Sequence, residues 1–281
     1  MAKADVELIK EIVADVKAGK LHLPSPPEFA QDLHKAIEEE RRDISYISRI
    51  IQYDPGLTTR IIGIANSPLF RGSKTIESCH AAVTRIGLSA TRQYVFAFTM
   101  NNAFSAKNHL VKEKMDAIWE KSRRVAVLSF ILADITPGMD KHRALMAGLI
   151  HNIGSMPVLI YADKYNEILS SPHRLSALLK HVDGKLGTFV LKRWKFDDEL
   201  ARIPVEIDDW FRDPSESPDY ADIVNVARAY DAIGKPDFSD VPKLVDLPSF
   251  KKIPLSKQGP KGCVETLEAA EMEMGVVMAL L

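Results

Sequence analysis

Apolar and small residues in this chain recur at intervals of three and four, and nowhere do they alternate over a long run. The clearest stretch is Met115, Ile118, Trp119, Ser122, Val125, Ala126, Ser129 and Leu132, closed by Thr136-Pro137-Gly138. Such spacing puts side chains on one face of a helix, whereas a half-buried strand needs period two. A helix with one apolar face must bury it against another element, so the expected class is all-α, a multi-helix bundle. With 281 residues, 46% of them hydrophobic, the chain can fill one large core or two modest ones.

Capping residues divide the pattern into elements. Val6, Leu8, Ile9, Ile12, Val13 and Val16 predict a first helix, stopped at Gly19. A proline-rich turn at 21–27 leads to a second, with Phe29, Leu33 and Ile37 on one face. Asp43 caps a third, holding Ile44, Ile47, Ile50 and Ile51. Asp54-Pro55 is the sharpest start signal: aspartate accepts free backbone N–H groups at N-cap, and proline at N1 costs no hydrogen bond. That helix carries Leu57, Ile61, Ile62 and Ala65 and stops at Asn66-Ser67-Pro68. Ser78 opens another, with Ala82, Val83 and Ile86, closed by Gly87; Ser89 opens the next, with Tyr94, Val95 and Phe98. Asn101 to Lys114 reads as a linker or as the start of a long helix, and Ala144 to Ile153 as a short apolar helix ending at Gly154.

Further helical segments hold Ile168 and Leu169, then Leu175, Leu178 and Leu179, then Leu186, Phe189, Val190 and Trp194. Leu200, Ile203, Ile207, Trp210 and Phe211 follow, with a kink expected at Pro204, and then Asp222 to Tyr230. Lys235 to Lys261, rich in Pro, Lys and Asp, is expected to be a surface loop and connection. Leu267, Ala270, Met274, Val277 and Leu281 mark a last helix, packed on its own chain.

The net charge of −1 and pI of about 6.7 give no global field for nucleic acid or an anionic membrane. The corner at Gly87-Leu88-Ser89 resembles a helix-turn-helix, but ordinary bundle packing is the simpler account. Cys79 and Cys263 lie far apart without CxxC spacing, which suits free thiols in a reducing compartment. Met1 to Lys20 has no apolar stretch of the signal-peptide kind, and no run reaches the ~18 apolar residues of a membrane span. The expectation is a soluble, cytoplasmic chain without a membrane partner. Nucleophile elbows and phosphate loops are missing, since there is no GxSxG, GxxxxGK[ST] or GxGxxG.

Eight histidines are present, none in HxH, HxxH or HxxxH spacing. Only His151 lies in a strongly apolar segment, Ala147 to Gly154, where it is either a hydrogen-bonded core residue or a ligand. Asp183, Glu206, Asp208 and Asp209 could do acid–base work or hold a hard cation. A solvated acidic surface is the simpler reading, and His181 near Asp183 then forms a surface pair.

Several ordered segments resemble the HDOD domain. They are Leu23-Pro24, the Asp54-Pro55 helix start within Ile50 to Leu57, Ala65-Asn66-Ser67-Pro68-Leu69-Phe70, and Ala82-Val83-Thr84-Arg85-Ile86-Gly87. Downstream, Gly148-Leu149-Ile150-His151-Asn152-Ile153-Gly154 is similar to the central motif of the HD superfamily of metal-dependent phosphohydrolases. Trp119-Glu120-Lys121-Ser122 with Ala126 is similar to the helix that opens the HD-like half. The likeness covers residues 20 to 232. It implies an N-terminal helical subdomain (1–105) on an HD-like helical core (106–234), followed by a loop and a C-terminal helix (235–281). It also implies a bacterial signal-transduction module that binds a signalling protein, a small ligand or a second copy of itself.

The resemblance implies no chemistry. HD phosphohydrolases place a histidine on the opening helix, a His-Asp pair and a later aspartate around two metals. Here the first two fall to Lys121 and to His151-Asn152, and downstream Asp183 stands where the family often has a histidine four residues before the second glycine, Gly187. The histidine pair that often follows is replaced by Glu206-Ile207-Asp208-Asp209. No catalytic residue, metal or cofactor is expected, and His151, Asn152, Lys121 and Asp183 are vestigial positions. The alternative is a divergent HD-type phosphohydrolase of a nucleotide or cyclic dinucleotide, with one metal at His151 and nearby acids.

Overall fold

Local capping chemistry sets most helix boundaries in the computed structural model. It describes residues 43–70, 72–104, 106–164, 172–235 and 241–258, with short helical pieces at 10–11, 14–15, 262, 264–269, 272 and 275. Helix α1 (Ile44–Gln52) opens on Asp43, whose carboxylate accepts from the Tyr46 N–H at 3.0 Å. Helix α2 (Pro55–Asn66) opens in the same way on Asp54, which accepts from the Leu57 N–H at 3.0 Å. Ser78 caps α3 (Cys79–Ile86). Gly87 then turns the chain directly into α4 (Leu88–Ala103) at φ 83°. A Cβ there would meet nothing within 4 Å, so the glycine is required for its backbone angle rather than for space. Ser89, expected to start α4, falls inside its first turn.

The stretch from Asn101 to Lys114 is divided between two helices. Its first residues finish α4, and Asn108 caps α5 (His109–Asp134). Then come α6 (Lys141–Ile150), α7 (Ser155–Lys164), α8 (Pro172–Arg193), α9 (Asp198–Glu206), α10 (Tyr220–Asp231) and α11 (Pro248–Lys252). Eleven helices and no strand occur among the described residues, as the spacing predicts. The leucines from Leu175 to Leu186 lie on the single helix α8. Pro204 sits inside α9 two residues from its end, and Trp210 and Phe211 lie beyond it. Of the expected helix around Val6 to Val16 only 10–11 and 14–15 are described, and they are helical; the helix of Phe29 to Ile37, the turn before it, and Ile168 and Leu169 lie outside the described residues.

Three expectations are corrected. The apolar segment from Ala144 is not one helix to Ile153: α6 ends at Ile150, and residues 151–154 form a turn into α7. Residues Lys141–Asp163 do reach the length and mean hydropathy (1.4) of a membrane span, but 89% of that window is buried within the fold. The region from Lys235 to Lys261 is more than a surface loop. It contains α11 between two 3₁₀ turns, Leu244–Asp246 and Pro254–Gln258, and buries Leu244, Leu247, Phe250, Ile253 and Leu255. Its abundant Lys and Asp hid this apolar content, and some of those charges are internal partners: Lys252 reaches Asp213 at 2.9 Å and Asp222 at 3.1 Å. Leu267 is fully buried, so the last helix docks on its own chain there; Ala270, Met274, Val277 and Leu281 lie outside the described residues.

Helices α1 to α4 pack among themselves. Helix α5 packs along α6 and α10, α8 lies along α7 and α9, and α10 also meets α6, α9 and α11. The two groups join where α4 crosses α6. There Phe70 stacks on His142 at 5.4 Å, Tyr94 and Phe130 meet the same ring edge-on, and the Tyr94 hydroxyl lies 3.3 Å from His142 Nδ1. The core thus runs continuously from the first group into the second.

Candidate functional site

The turn between α6 and α7 carries His151 and Asn152 to the middle of the second helix group. It reaches there because glycines let backbones touch. A Cβ on Gly148 would sit 2.6 Å from the Ala126 Cα on α5, and one on Gly154 would collide with the Asp183 carbonyl and lie 2.5 Å from the Gly187 nitrogen on α8. His151 is 2% exposed, with Nδ1 at 2.6 Å from the Gly148 carbonyl. A carbonyl can only accept, so Nδ1 carries the proton and Nε2 the lone pair. Burial, with the positive charges of Arg228 and Lys121 nearby, drives its pKa well below the usual histidine value, and the ring is neutral.

Asn152 Oδ1 lies 2.6 Å from the Ser122 hydroxyl, which also lies 2.9 Å from the Ile118 carbonyl. One hydroxyl proton cannot serve two acceptors fully. Turning the amide over, so that Nδ2 donates to Ser122 Oγ, satisfies both. In either orientation Asn152 ties the turn to α5.

One residue before Ser122, Lys121 is partly exposed. Burial lowers its pKa to about 8, Arg228 and Lys235 push the same way, and Asp231 and Asp183 oppose them. Asp183, on α8, accepts from the hydroxyl and the backbone N–H of Ser155. Burial nevertheless lifts its pKa to about 7, with Asp208 adding to the shift, and its Oδ1 is buried without a hydrogen-bond partner. The four positions singled out from the sequence therefore converge on one place.

Arg228 does not stand out from the sequence spacing. This α10 residue donates through Nη1 to the Ile207 carbonyl at 2.6 Å and to Asn225 Oδ1 at 2.9 Å, with its guanidinium 4.2 Å over the Trp210 ring. Burial lowers its pKa to about 10, against the pull of Asp183 and Asp208, so it stays charged. The available signal was an otherwise buried helix with Asp222, Asn225 and Arg228 at three-residue intervals, a polar stripe that needs partners inside the fold.

Asp208 also belongs here rather than to a plain acidic surface. It sits at the exposed rim, its pKa raised by partial burial and lowered by Arg228 and Lys185. Its neighbours are structural: Glu206 pairs with Arg212 at 3.2 Å, and Asp209 accepts from the Phe211 N–H at 2.9 Å. The His181 side chain lies outside the described residues. Lys121, Asn152, Asp183 and Arg228 all keep partial exposure.

These groups do not fit a divalent metal centre. Such a centre needs several deprotonated donors around one point. Here one neutral histidine faces an ammonium and a guanidinium. Among the described residues no three His, Cys, Asp or Glu side chains gather to hold an ion.

The N-terminal motif residues instead build a loop. Asn66 Nδ2 donates to the Ile62 carbonyl at 3.1 Å and the Ile76 carbonyl at 2.8 Å, while its Oδ1 accepts from the Ile76 N–H at 2.8 Å. Arg85 donates to the carbonyls of Ala65 and Lys74. Together they pin the segment between α2 and α3.

Comparison with known proteins agrees with this architecture. A Shewanella amazonensis SB2B structure, provisionally assigned as a metal-dependent phosphohydrolase, superposes with a TM-score of 0.80 over 97% of this chain and 99% of that one, at 24% identity. A provisionally assigned signal transduction protein of Marinobacter aquaeolei VT8 gives 0.62 at 18% identity, over 92% of this chain and 59% of that one. An uncharacterized protein of Treponema pallidum (strain Nichols) is 23% identical over 195 residues, which is 63% of this chain but 36% of that protein. The chain thus spans little more than a third of the length of that curated relative, and the structural likenesses concern fold. The HDOD domain profile matches residues 23–207, well over half of the chain, and the protein belongs to the HDOD domain family.

Proposed function

We propose that this HDOD domain is a regulatory module of bacterial signal transduction that acts by binding a partner protein or a small ligand and hydrolyses nothing. One observation carries the reading: where an HD-type centre would gather metal ligands, Lys121 and Arg228 supply fixed positive charge beside a neutral His151. A divalent ion entering that place would be repelled by both cations, and Asn152 offers at best a neutral amide oxygen. The name given to the Marinobacter relative points the same way; that of the Shewanella protein points to metal-dependent hydrolysis.

Metal analysis of the purified protein, together with phosphomonoester and cyclic dinucleotide hydrolysis assays in manganese, separates the two. The expected result is substoichiometric metal and no turnover above buffer. Stoichiometric transition metal that disappears in His151→Ala, accompanied by turnover, would overturn the proposal.

A further inference from the structure

The segment from Val205 to Ser217 concentrates charge that the rest of the chain balances. It carries five carboxylates, Glu206, Asp208, Asp209, Asp213 and Glu216, against one cation, Arg212, while the whole chain has a net charge of −1. Two of the five are engaged internally, Glu206 by Arg212 and Asp213 by Lys252. Asp208, Asp209 and Glu216 are exposed and make no ion-pair contact among the described residues.

Apolar surface lies among these charges. Phe211 is 59% exposed, Val205 38%, and Trp210 in part. Phe211 does not turn inward, because both of its neighbours are already anchored there. Trp210 lies against the Arg228 guanidinium at 4.2 Å, and Arg212 reaches Glu206, Asp219 and Asp222. A turn closes around Phe211 from the Arg212 N–H to the Asp209 carbonyl, and the Asp209 carboxylate accepts from the Phe211 N–H at 2.9 Å. The ring therefore stands at the tip of a held loop. Val205 and Asp208 both come up against Gly184 of α8, so apolar and acidic groups share that face.

An aromatic group fixed before contact loses little conformational entropy on binding, and a few such anchors carry most of the energy of a protein interface. The carboxylates decide what can sit on this one. An anionic membrane is repelled. A second copy meeting the same face would bring two acidic loops together. A segment whose apolar side chains are flanked by lysine or arginine complements both parts.

We infer that Phe211, with Val205 and Trp210 beside it and Asp208, Asp209 and Glu216 around it, is the docking point for a basic amphipathic segment of a partner protein. This specifies the partner within the regulatory reading and rests on it.

Fluorescence anisotropy of a labelled peptide of leucine and lysine at helical spacing, titrated with the full chain, tests the face. The same peptide with glutamate for lysine is the control. The expected result is saturable binding of the lysine peptide, none of the glutamate peptide, and about tenfold weaker binding in Phe211→Ser and in Asp208→Asn/Asp209→Asn. Phe211 is exposed enough to be replaced without opening the core. An asparagine at 209 can still accept from the Phe211 N–H, so the turn survives the loss of charge. Glu77→Gln/Glu113→Gln removes the same charge at two other exposed positions and is expected to bind as wild type does. Equal affinity in wild type and Phe211→Ser, an equal loss in the Glu77/Glu113 variant, or no saturable binding overturns the inference. A homodimer that Phe211→Ser splits would give the face to a second copy and overturn it too. Turnover in the hydrolysis assays would sink the regulatory reading whatever the peptide affinity. No turnover and no peptide binding would leave that reading standing and remove the docking surface alone.

Discussion

Asn152 differs from the aspartate of the HD pair by one charge, and the obvious thought is that restoring it would restore a metal site. The surroundings argue otherwise. A carboxylate at this position would accept from the Ser122 hydroxyl at the distance the amide now holds, 2.6 Å. It would stand next to His151, on which the positive charges of Lys121 and Arg228 act, and those charges would neutralise it before a shared cation could. Asn152→Asp is therefore expected to fold as well as wild type and to purify without stoichiometric zinc, manganese or iron. Metal analysis of that variant beside Asn152→Asp/Lys121→His checks the point. Metal bound by the single variant would show that the cations do not bar the site. The same logic applies to Asn66, the most recognisable motif residue: its three hydrogen bonds all go to backbone, so it reports on loop geometry and not on chemistry.

At the level of elements, the contact between the α6–α7 turn and α8 is the closest approach that positions His151 and Asn152. A methyl on Gly154 would run into backbone of Asp183 and Gly187, atoms that cannot rotate away as a side-chain tip can. Gly154→Ala is expected to destabilise the fold by about 3 kcal/mol, the upper end for overpacking a well-filled interior, read as a lowered midpoint in chemical denaturation. A midpoint unchanged from wild type would mean that the turn is not clamped in this way. Such contacts explain what was legible beforehand. Starts such as Asp43, Asp54 and Ser78 declare themselves because a cap acts on its own next three residues. The turn at 151–154 was hidden because its cause lies about thirty residues away on α8. Arg228 was hidden for a similar reason: its carbonyl acceptor Ile207 and the acids nearest it come from the end of α9 and from α8, and only Asn225 is local. The burial of residues 241–255 was masked by lysines and aspartates whose partners are internal, Lys252 with Asp222 above all.

Across the whole molecule the two helix groups meet at aromatic contacts, Phe96 and Phe104 against Trp194 in one seam and Phe70 and Tyr94 around His142 in another, and the second seam contains a titratable ring. His142 lies between Phe70 and Tyr94 of the first group and Phe130 of the second. Burial lowers its pKa below the usual value; Lys141 pushes the same way, and Asp140 and Asp134 oppose it. The folded state thus binds fewer protons than the unfolded chain, where histidine titrates near about 6.5. Stability is present in full above that pH and is lost as pH falls below it, by at most about 1.4 kcal/mol per pH unit for one group, less because the ring is only partly buried. His151, lowered in the same direction, adds a loss of the same sign, so the wild-type profile alone does not isolate the seam. His142→Phe does: it keeps the stack on Phe70 and removes the proton site, at the loss of the Tyr94 contact. Denaturation midpoints measured from pH 7.5 down to 5 are expected to fall more steeply for wild type than for His142→Phe, with the two profiles parallel above pH 7. Profiles that stay parallel to pH 5 would show that the seam does not sense protons, and that the acid sensitivity of this fold resides in its second helix group.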